Sequence, residues 1–299
     1  MNRMILQFTA HLHIKNYAVN SVQNHRLDLQ RFRSWLETQG EADLETLCRI
    51  TPADLRRYQA ELARGLKQRS INRHLSSIKL FFGFLEEGGL ISENPMDSVR
   101  FPKTLPVLPN MLLPGEVDAL LATPNEDHYL GLRDKALLEL LYSTGLKLHE
   151  LIALNVDDLE LELSFLRVKG KRERMVPLTD RAKELLGRFL LETRASRLRT
   201  QDDPWVFPGR NGNRISRVGV WKLIKKYALQ AGIKRNFNPR ALRHAFAMHL
   251  ILNGMDLDGI RVLYGYKQLE ATTLYAHVNT PDFREIYETH HPSATDGAD

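Results

Sequence analysis

The sequence predicts a mainly α chain of two domains, the second carrying a small β-hairpin. Three observations lead there. Apolar residues recur at three- and four-residue spacing from Met4 to Leu90, with no strand-like alternation. Residues 94–110, NPMDSVRFPKTLPVLPN, hold four prolines in a short extended stretch. Over residues 161–179, LELSFLRVKGKRERMVPLT, the apolar period drops to two before helical spacing returns.

Each element follows from local chemistry. In SVQNHRLDLQRFRSWLETQG, Val22, Leu27, Leu29, Phe32, Trp35 and Leu36 are expected to form a buried helical stripe, with Ser21 as cap and Gly40 as stop. ITPADLRRYQAELARG opens with Thr51 before Pro52 at the first helical position and ends at Gly65. KQRSINRHLSSIKLFFGFLEEGG then turns Ile71, Leu75, Ile78, Leu80, Phe81 and Leu85 inward and leaves a basic, hydroxyl-rich start outside. With the helix at the start of the chain, this predicts a four-helix bundle over residues 1–101, a linker at 102–110 and a second domain from 111 to 299. In that domain Pro114 to Ala122 and Leu132 to Thr144 are expected to be helical. Leu163, Phe165 and Arg167, then Arg174, Val176 and Leu178, alternate around a Lys/Gly turn as a hairpin. Helices return at about 180–200, 216–230, 239–253 and 256–263, and HHPSATDGAD is a polar tail.

With 299 residues, 43% hydrophobic and 26% charged, the composition is that of a soluble globular protein rather than a disordered one. A formal net charge of +6 leans toward a polyanion partner such as nucleic acid. The single cysteine, Cys48, excludes an internal disulfide framework and a cysteine-based zinc site, and no metal motif is present. His11, His13 and Lys15 break the apolar N-terminal stretch, so neither a signal peptide nor a membrane span is expected, and the chain is expected in the cytoplasm.

Three features of the second domain place cations where a solvated surface does not require them. Lys147 follows a glycine at a helix start, between buried runs. Lys169 and Lys171 project from the tight hairpin turn. Arg240 and Arg243, three residues apart, share one face of a helix on which Ala241, Leu242, Phe246 and Leu250 pack. Each is more often an ordinary solvated face when met alone. Tyr275, in LEATTLYAHV, is by the same standard a packing tyrosine until something gives its hydroxyl a task.

The motifs LRDKALLELLYSTGL, HELIALNVDDL, ERMVPL, LRHAFAMHLILNG and TTLYAHV, preceded by HRLDLQRFRSWL and SINRHLSSIKLFFGFL, occur in an order and spacing that resemble the tyrosine recombinases of the Xer and integrase type over almost the whole chain. The resemblance implies an N-terminal helical core-binding (SAM-like) domain and a mostly helical catalytic domain with a small sheet, closing around duplex DNA as a clamp. It implies Tyr275 as the nucleophile that forms a 3'-phosphotyrosine, with no metal, ATP or other cofactor. Arg243 matches the second arginine of the family and Lys169 the hairpin lysine. The resemblance also implies a tetramer on DNA, of this chain alone or with an active paralogue. In it the tail bearing Phe283, Ile286 and Tyr287 docks on a neighbouring protomer.

The sequence departs from the family at three positions. Lys147 stands in place of the first arginine, Arg240 in place of the first histidine, and Tyr266 in place of a second histidine or tryptophan. Lys147 keeps charge but lacks the guanidinium fork, Arg240 cannot serve as a base, and Tyr266 keeps an aromatic wall and a hydroxyl. Two functions therefore stay open: a recombinase with a rebuilt cationic site, or a DNA-binding relative that assists an active one. Arg69, Ser70, Asn72, Arg73 and Lys79 near the start of the fourth bundle helix are expected to hold phosphates or enter the major groove, and Arg172, Arg174, Arg210, Arg214 and Arg217 in the second domain are the expected DNA-backbone contacts.

Overall fold

The computed structural model describes residues 1–267 except Glu41, 104–111, Tyr129, Lys171, Gln201, Arg235 and Asn236. Tyr275, the tail with Phe283, Ile286 and Tyr287, Lys171 and most of the expected linker lie outside the described residues. The chain divides into two compact units, Met1–Pro106 and Val107–Asp299. No helix among the described residues is long and apolar enough to cross a membrane.

The first unit holds α1 (Asn2–Ile14), α2 (Val19–Glu37), the short α3 (Leu44–Arg49), α4 (Pro52–Ala63) and α5 (Gln68–Glu87). Phe8, Leu29, Phe32, Leu55, Leu75, Phe81 and Phe82 are fully buried at its centre, where α2 and α5 pack together. Thr51 caps α4: its hydroxyl accepts from the Asp54 N–H, and its own N–H donates to Asp54 Oδ2 at 2.9 Å, a reciprocal capping box ahead of Pro52. Two expectations need correction. α2 starts at Val19 with Ala18 as N-cap, which puts Ser21 inside the first turn, its N–H on the Ala18 carbonyl. Leu27 is 51% exposed because, at 100° per residue, it lies about 140° around the helix from Val22.

The second unit contains α6 (Pro114–Ala122), α7 (Gly131–Thr144), α8 (Leu148–Ala153), β1 (Leu159–Glu160), β2 (Phe165–Val168), β3 (Arg174–Pro177), α9 (Asp180–Arg188), α10 (Arg217–Gln230), α11 (Pro239–Leu252) and α12 (Leu257–Tyr264). α7 is buried on nearly every side, with Ala136, Leu137, Leu138 and Leu140 fully enclosed and α6, α9 and α11 packed around it. The sheet is antiparallel in the order β1-β2-β3, and β2 and β3 form the hairpin, paired from Phe165 with Pro177 to Val168 with Arg174. Its buried face on β2 is Leu166 and Val168, the opposite parity to the Leu163, Phe165, Arg167 set; Leu163 is 69% exposed. Beyond α9 the helix loosens into a π-helical stretch, Phe189–Arg194, and a 3-10 turn, Ala195–Arg197, where the sequence predicted one continuous helix.

Candidate active site

The site forms where α7 ends. Gly145 closes that helix in the left-handed region, φ 58°, and a Cβ on it would lie 2.5 Å from Phe246 Cδ1 and 2.7 Å from Tyr264 Cε1. Only glycine allows α11 and α12 to come so close. The freed carbonyl of Gly145 accepts from Arg243 Nη1. Arg243 is 7% exposed; its guanidinium carbon lies 3.5 Å over the Tyr264 ring, and Nη2 donates to the Tyr266 hydroxyl at 3.4 Å. The Tyr264 hydroxyl in turn donates to the Arg243 carbonyl, so the arginine is held from backbone and side chain together.

Two residues past Gly145, Lys147 caps α8. Its N–H donates to Glu150 Oε2 at 2.9 Å and its Nζ to Oε1 at 3.2 Å. The Glu150 side chain, 8% exposed, also receives both ends of a guanidinium fork, Arg174 Nη1 at 3.1 Å and Nη2 at 3.0 Å. Arg174 Nε reaches the Leu263 carbonyl at 2.8 Å, and Arg172 Nη1 reaches the Gly265 carbonyl at 2.9 Å. Thus residues 145–150, the hairpin, the first turns of α11 and the end of α12 are laced into one cluster.

Lys169 sits at the hairpin tip, just beyond the Val168–Arg174 pair, 55% exposed, with Nζ 2.5 Å from Oδ1 of the buried Asp158. Arg240 is exposed at the start of α11, its N–H donating to the side chain of the N-cap residue Asn238.

The local charges set the protonation states. Burial alone would raise the Glu150 carboxyl; the Arg174 fork, the Lys147 N–H and both positive charges more than offset this and hold it at about 2. Burial, then the charges of Arg243 and Arg240, push His244 down to about 4. His149 is also lowered, first by desolvation, with Lys147, Arg217 and Arg243 adding to the effect and Glu150 opposing it. Among the described residues no group of three His, Cys, Asp or Glu side chains could hold a metal ion.

The sequence-expected DNA contacts divide by environment. Arg69 and Arg217 are exposed at helix starts, and Arg210 and Arg172 are exposed on the second unit; Ser70 is half-buried. Others have work inside their own unit. Asn72 donates to the Pro102 carbonyl at 2.9 Å, Arg73 to the buried Asp28 at 2.5 Å, and Lys79 pairs with Asp97 at 2.8 Å. Arg214 donates to the Ile152 carbonyl and to Asn155 Oδ1, both at 2.9 Å. Arg174, 9% exposed, is committed to Glu150 and is not an open surface cation. Sequence reasoning passed over Glu150, His149 and Tyr264. Glu150 was within reach: three residues after Lys147 is the spacing of a carboxylate that turns back on a helix start.

Residues 110–281 match the phage integrase family model, and residues 5–89 match the phage integrase N-terminal SAM-like domain. The chain belongs to the phage integrase family. It is 37% identical over 298 residues to the tyrosine recombinase XerD of Yersinia pestis, covering 98% of each chain. It is 35% identical over 299 residues to the XerD of Listeria innocua, covering 98% of this chain and all of that one. Its fold is that of the tyrosine recombinases. XerH site-specific recombinase bound to palindromic difH substrate aligns with a TM-score of 0.76 at 19% identity, over 91% of this chain and 80% of that one. The Tn1549 transposon integrase in complex with a circular intermediate DNA aligns at 0.75 and 20% identity, over 94% and 97%.

Proposed function

We propose that this protein is a site-specific DNA recombinase that binds duplex DNA and cuts and rejoins its strands through a 3'-phosphotyrosine on Tyr275. The observation that carries this is the convergence on Arg243: a buried, immobilised guanidinium beside the Tyr266 hydroxyl, tied through Gly145 to the helix start that bears Lys147. Arg243 binds the non-bridging oxygens of the scissile phosphate, Tyr266 adds a hydroxyl donor, and Lys147 and Arg240 add positive charge as the phosphorus becomes five-coordinate. The phenol oxygen of Tyr275 attacks phosphorus in line, the P–O5' bond breaks, and Lys169 protonates the departing oxygen. The phosphodiester energy is kept in the tyrosine ester, and a partner strand's 5'-hydroxyl reverses the step.

Glu150 and Arg174 act as positioners of the hairpin and of Lys147 rather than as ligands of DNA. Arg69, Arg172, Arg210 and Arg217, exposed and cationic, hold flanking phosphates. Relatives seen on DNA support duplex DNA as the partner; the assembly we propose is a tetramer on the site, of this chain alone or beside an active paralogue, in the cytoplasm.

The test begins with duplexes retained by the protein from a random pool. A nicked form of the recovered site is then incubated with wild type and with Tyr275→Phe, and covalent adduct is resolved on a denaturing gel. An adduct that disappears in the variant supports the proposal; retention of duplex with no adduct from wild type contradicts it. Lys147→Arg restores a fork at a phosphate site, a change worth on the order of 3 kcal/mol, so adduct formation should accelerate about a hundredfold.

A further inference from the structure

Lys169 stands where the pairing of the hairpin has ended. Beyond the Val168–Arg174 pair, Gly170 takes φ 124°, with nothing within 4 Å of where a β-carbon would lie, so neither ladder nor packing at that residue restrains the tip. A lysine there has a long stem and much rotamer freedom to lose.

The restraint comes from Asp158. Leu159 and Glu160 of β1 pair with Leu166 and Phe165 of β2, and this antiparallel register carries the residue before β1 alongside the end of β2 from which Lys169 emerges. Asp158 closes the 3-10 turn Val156–Asp158, and its Oδ2 accepts the Asn155 N–H at 2.9 Å. Asn155 is itself pinned: its Oδ1 accepts from Arg214 Nη2 at 2.9 Å, and the next N–H, that of Val156, donates to the Pro204 carbonyl at 2.8 Å. The other carboxylate oxygen, Oδ1, accepts no hydrogen bond from the rest of the unit among the described residues and faces Lys169 Nζ at 2.5 Å. Capping a turn does not demand that burial. Asp54, which makes the same return bond to the cap residue of α4, has a side chain 24% exposed, against 4% for Asp158. A carboxylate buried with one oxygen uncommitted is costly unless a cation meets it. The cation that does so is exposed, and its ammonium has further N–H groups to offer a ligand.

We propose that Asp158 is a positioning residue for strand cleavage, holding the Lys169 ammonium in place to protonate the departing O5'. The proposal rests on the recombinase function given above. As phosphorus bonds to the attacking oxygen, the P–O5' bond breaks and its electron pair stays on O5', which takes one proton from Lys169 Nζ. The amine keeps its place beside Asp158 and recovers that proton in rejoining. Asp158 itself neither touches the phosphate nor exchanges a proton.

Wild type, Asp158→Asn, Lys169→Ala and the double variant are compared on the nicked duplex recovered by selection, with either oxygen or sulfur as the bridging 5' atom of the phosphate that wild type cleaves. Sulfur leaves as the thiolate, because a thiol with a pKa of about 8.5 needs no acid where an alcohol does. On oxygen, Asp158→Asn should retain the duplex as wild type does and form adduct about 30-fold more slowly, and the double variant should be no slower than Lys169→Ala. On sulfur, Asp158→Asn should come within about threefold of wild type. A wild-type rate for Asp158→Asn on oxygen overturns the proposal and leaves the recombinase function standing. Equal slowing on oxygen and sulfur also overturns it, as does a double variant slower than Lys169→Ala, because Asp158 then supports the fold and does not act through the lysine. No adduct from wild type overturns both.

Discussion

Asp28 in the first unit and Glu150 in the second are each buried under cations, with different consequences. Asp28, on α2 and 1% exposed, accepts from Arg73 Nη1 at 2.5 Å and the Ser77 hydroxyl at 2.7 Å, and the His74 ring lies 3.1 Å from its other oxygen. All three partners come from one stretch of α5, so the cluster closes on itself and ties two helices. Glu150 gathers Lys147 from its own helix start and Arg174 from β3, and the hairpin that bears Arg174 makes further bonds to Leu263 and Gly265, beside Arg243 and Tyr266. The same carboxylate chemistry gives cohesion in one unit and, in the other, placement of the groups proposed to bind phosphate.

Removing the charge at each position should separate these roles. Glu150→Gln leaves the Arg174 guanidinium buried without its counter-charge, which should cost about 3 kcal/mol in urea unfolding and also slow adduct formation more than about 100-fold. Asp28→Asn should cost about 2 kcal/mol, since Arg73 stays 46% exposed and hydrated, while the rate of adduct formation per bound duplex stays at the wild-type level. Equal catalytic losses in the two variants would erase the contrast.

Tyr264→Leu removes the ring beneath Arg243 and should lose about 1 kcal/mol of that contact, slowing the adduct about fivefold. Tyr264→Phe keeps the ring and should keep most of the rate.

The remaining effect concerns acid. The Glu150 carboxyl lies at about 2, against an ordinary value of 4.5, so its stabilisation is complete above 4.5 and is lost as pH falls toward 2. Urea midpoints measured from pH 6 to pH 3 should decline for wild type and show a smaller decline in Glu150→Gln. An unchanged slope in that variant would show that the carboxylate does not stabilise the folded state by this route.

Helices with clear caps and long apolar stripes were legible in the sequence, as Thr51-Pro52 before α4 and the Ile71–Leu85 series of α5 show. Short elements were not: α3 and the two-residue β1 carry too few side chains to establish a period. The buried face of β2 was not legible in the sequence, because Leu163 and Phe165 are apolar yet outward, while the inward residues are only Leu166 and Val168. In the candidate site, motif order singled out Arg243, Lys147 and Tyr266, and the structure adds what holds them. Arg174 looked like a DNA contact because sequence shows a charge but not its partner 89 residues away at Leu263 or its fork on Glu150. Arg73 and Lys79 were ambiguous for the same reason; a basic helix start looks the same whether its cations face solvent or a buried aspartate.

The most direct measurement is mass spectrometry of the tryptic peptides from wild-type protein incubated with the nicked duplex. The expected result is a nucleotide joined through its 3'-phosphate to the peptide containing Tyr275, with a free 5'-hydroxyl on the released strand. A nucleotide on any other residue, or a 5'-phosphate on the released strand, would contradict attack by that phenol on a phosphate held at Arg243.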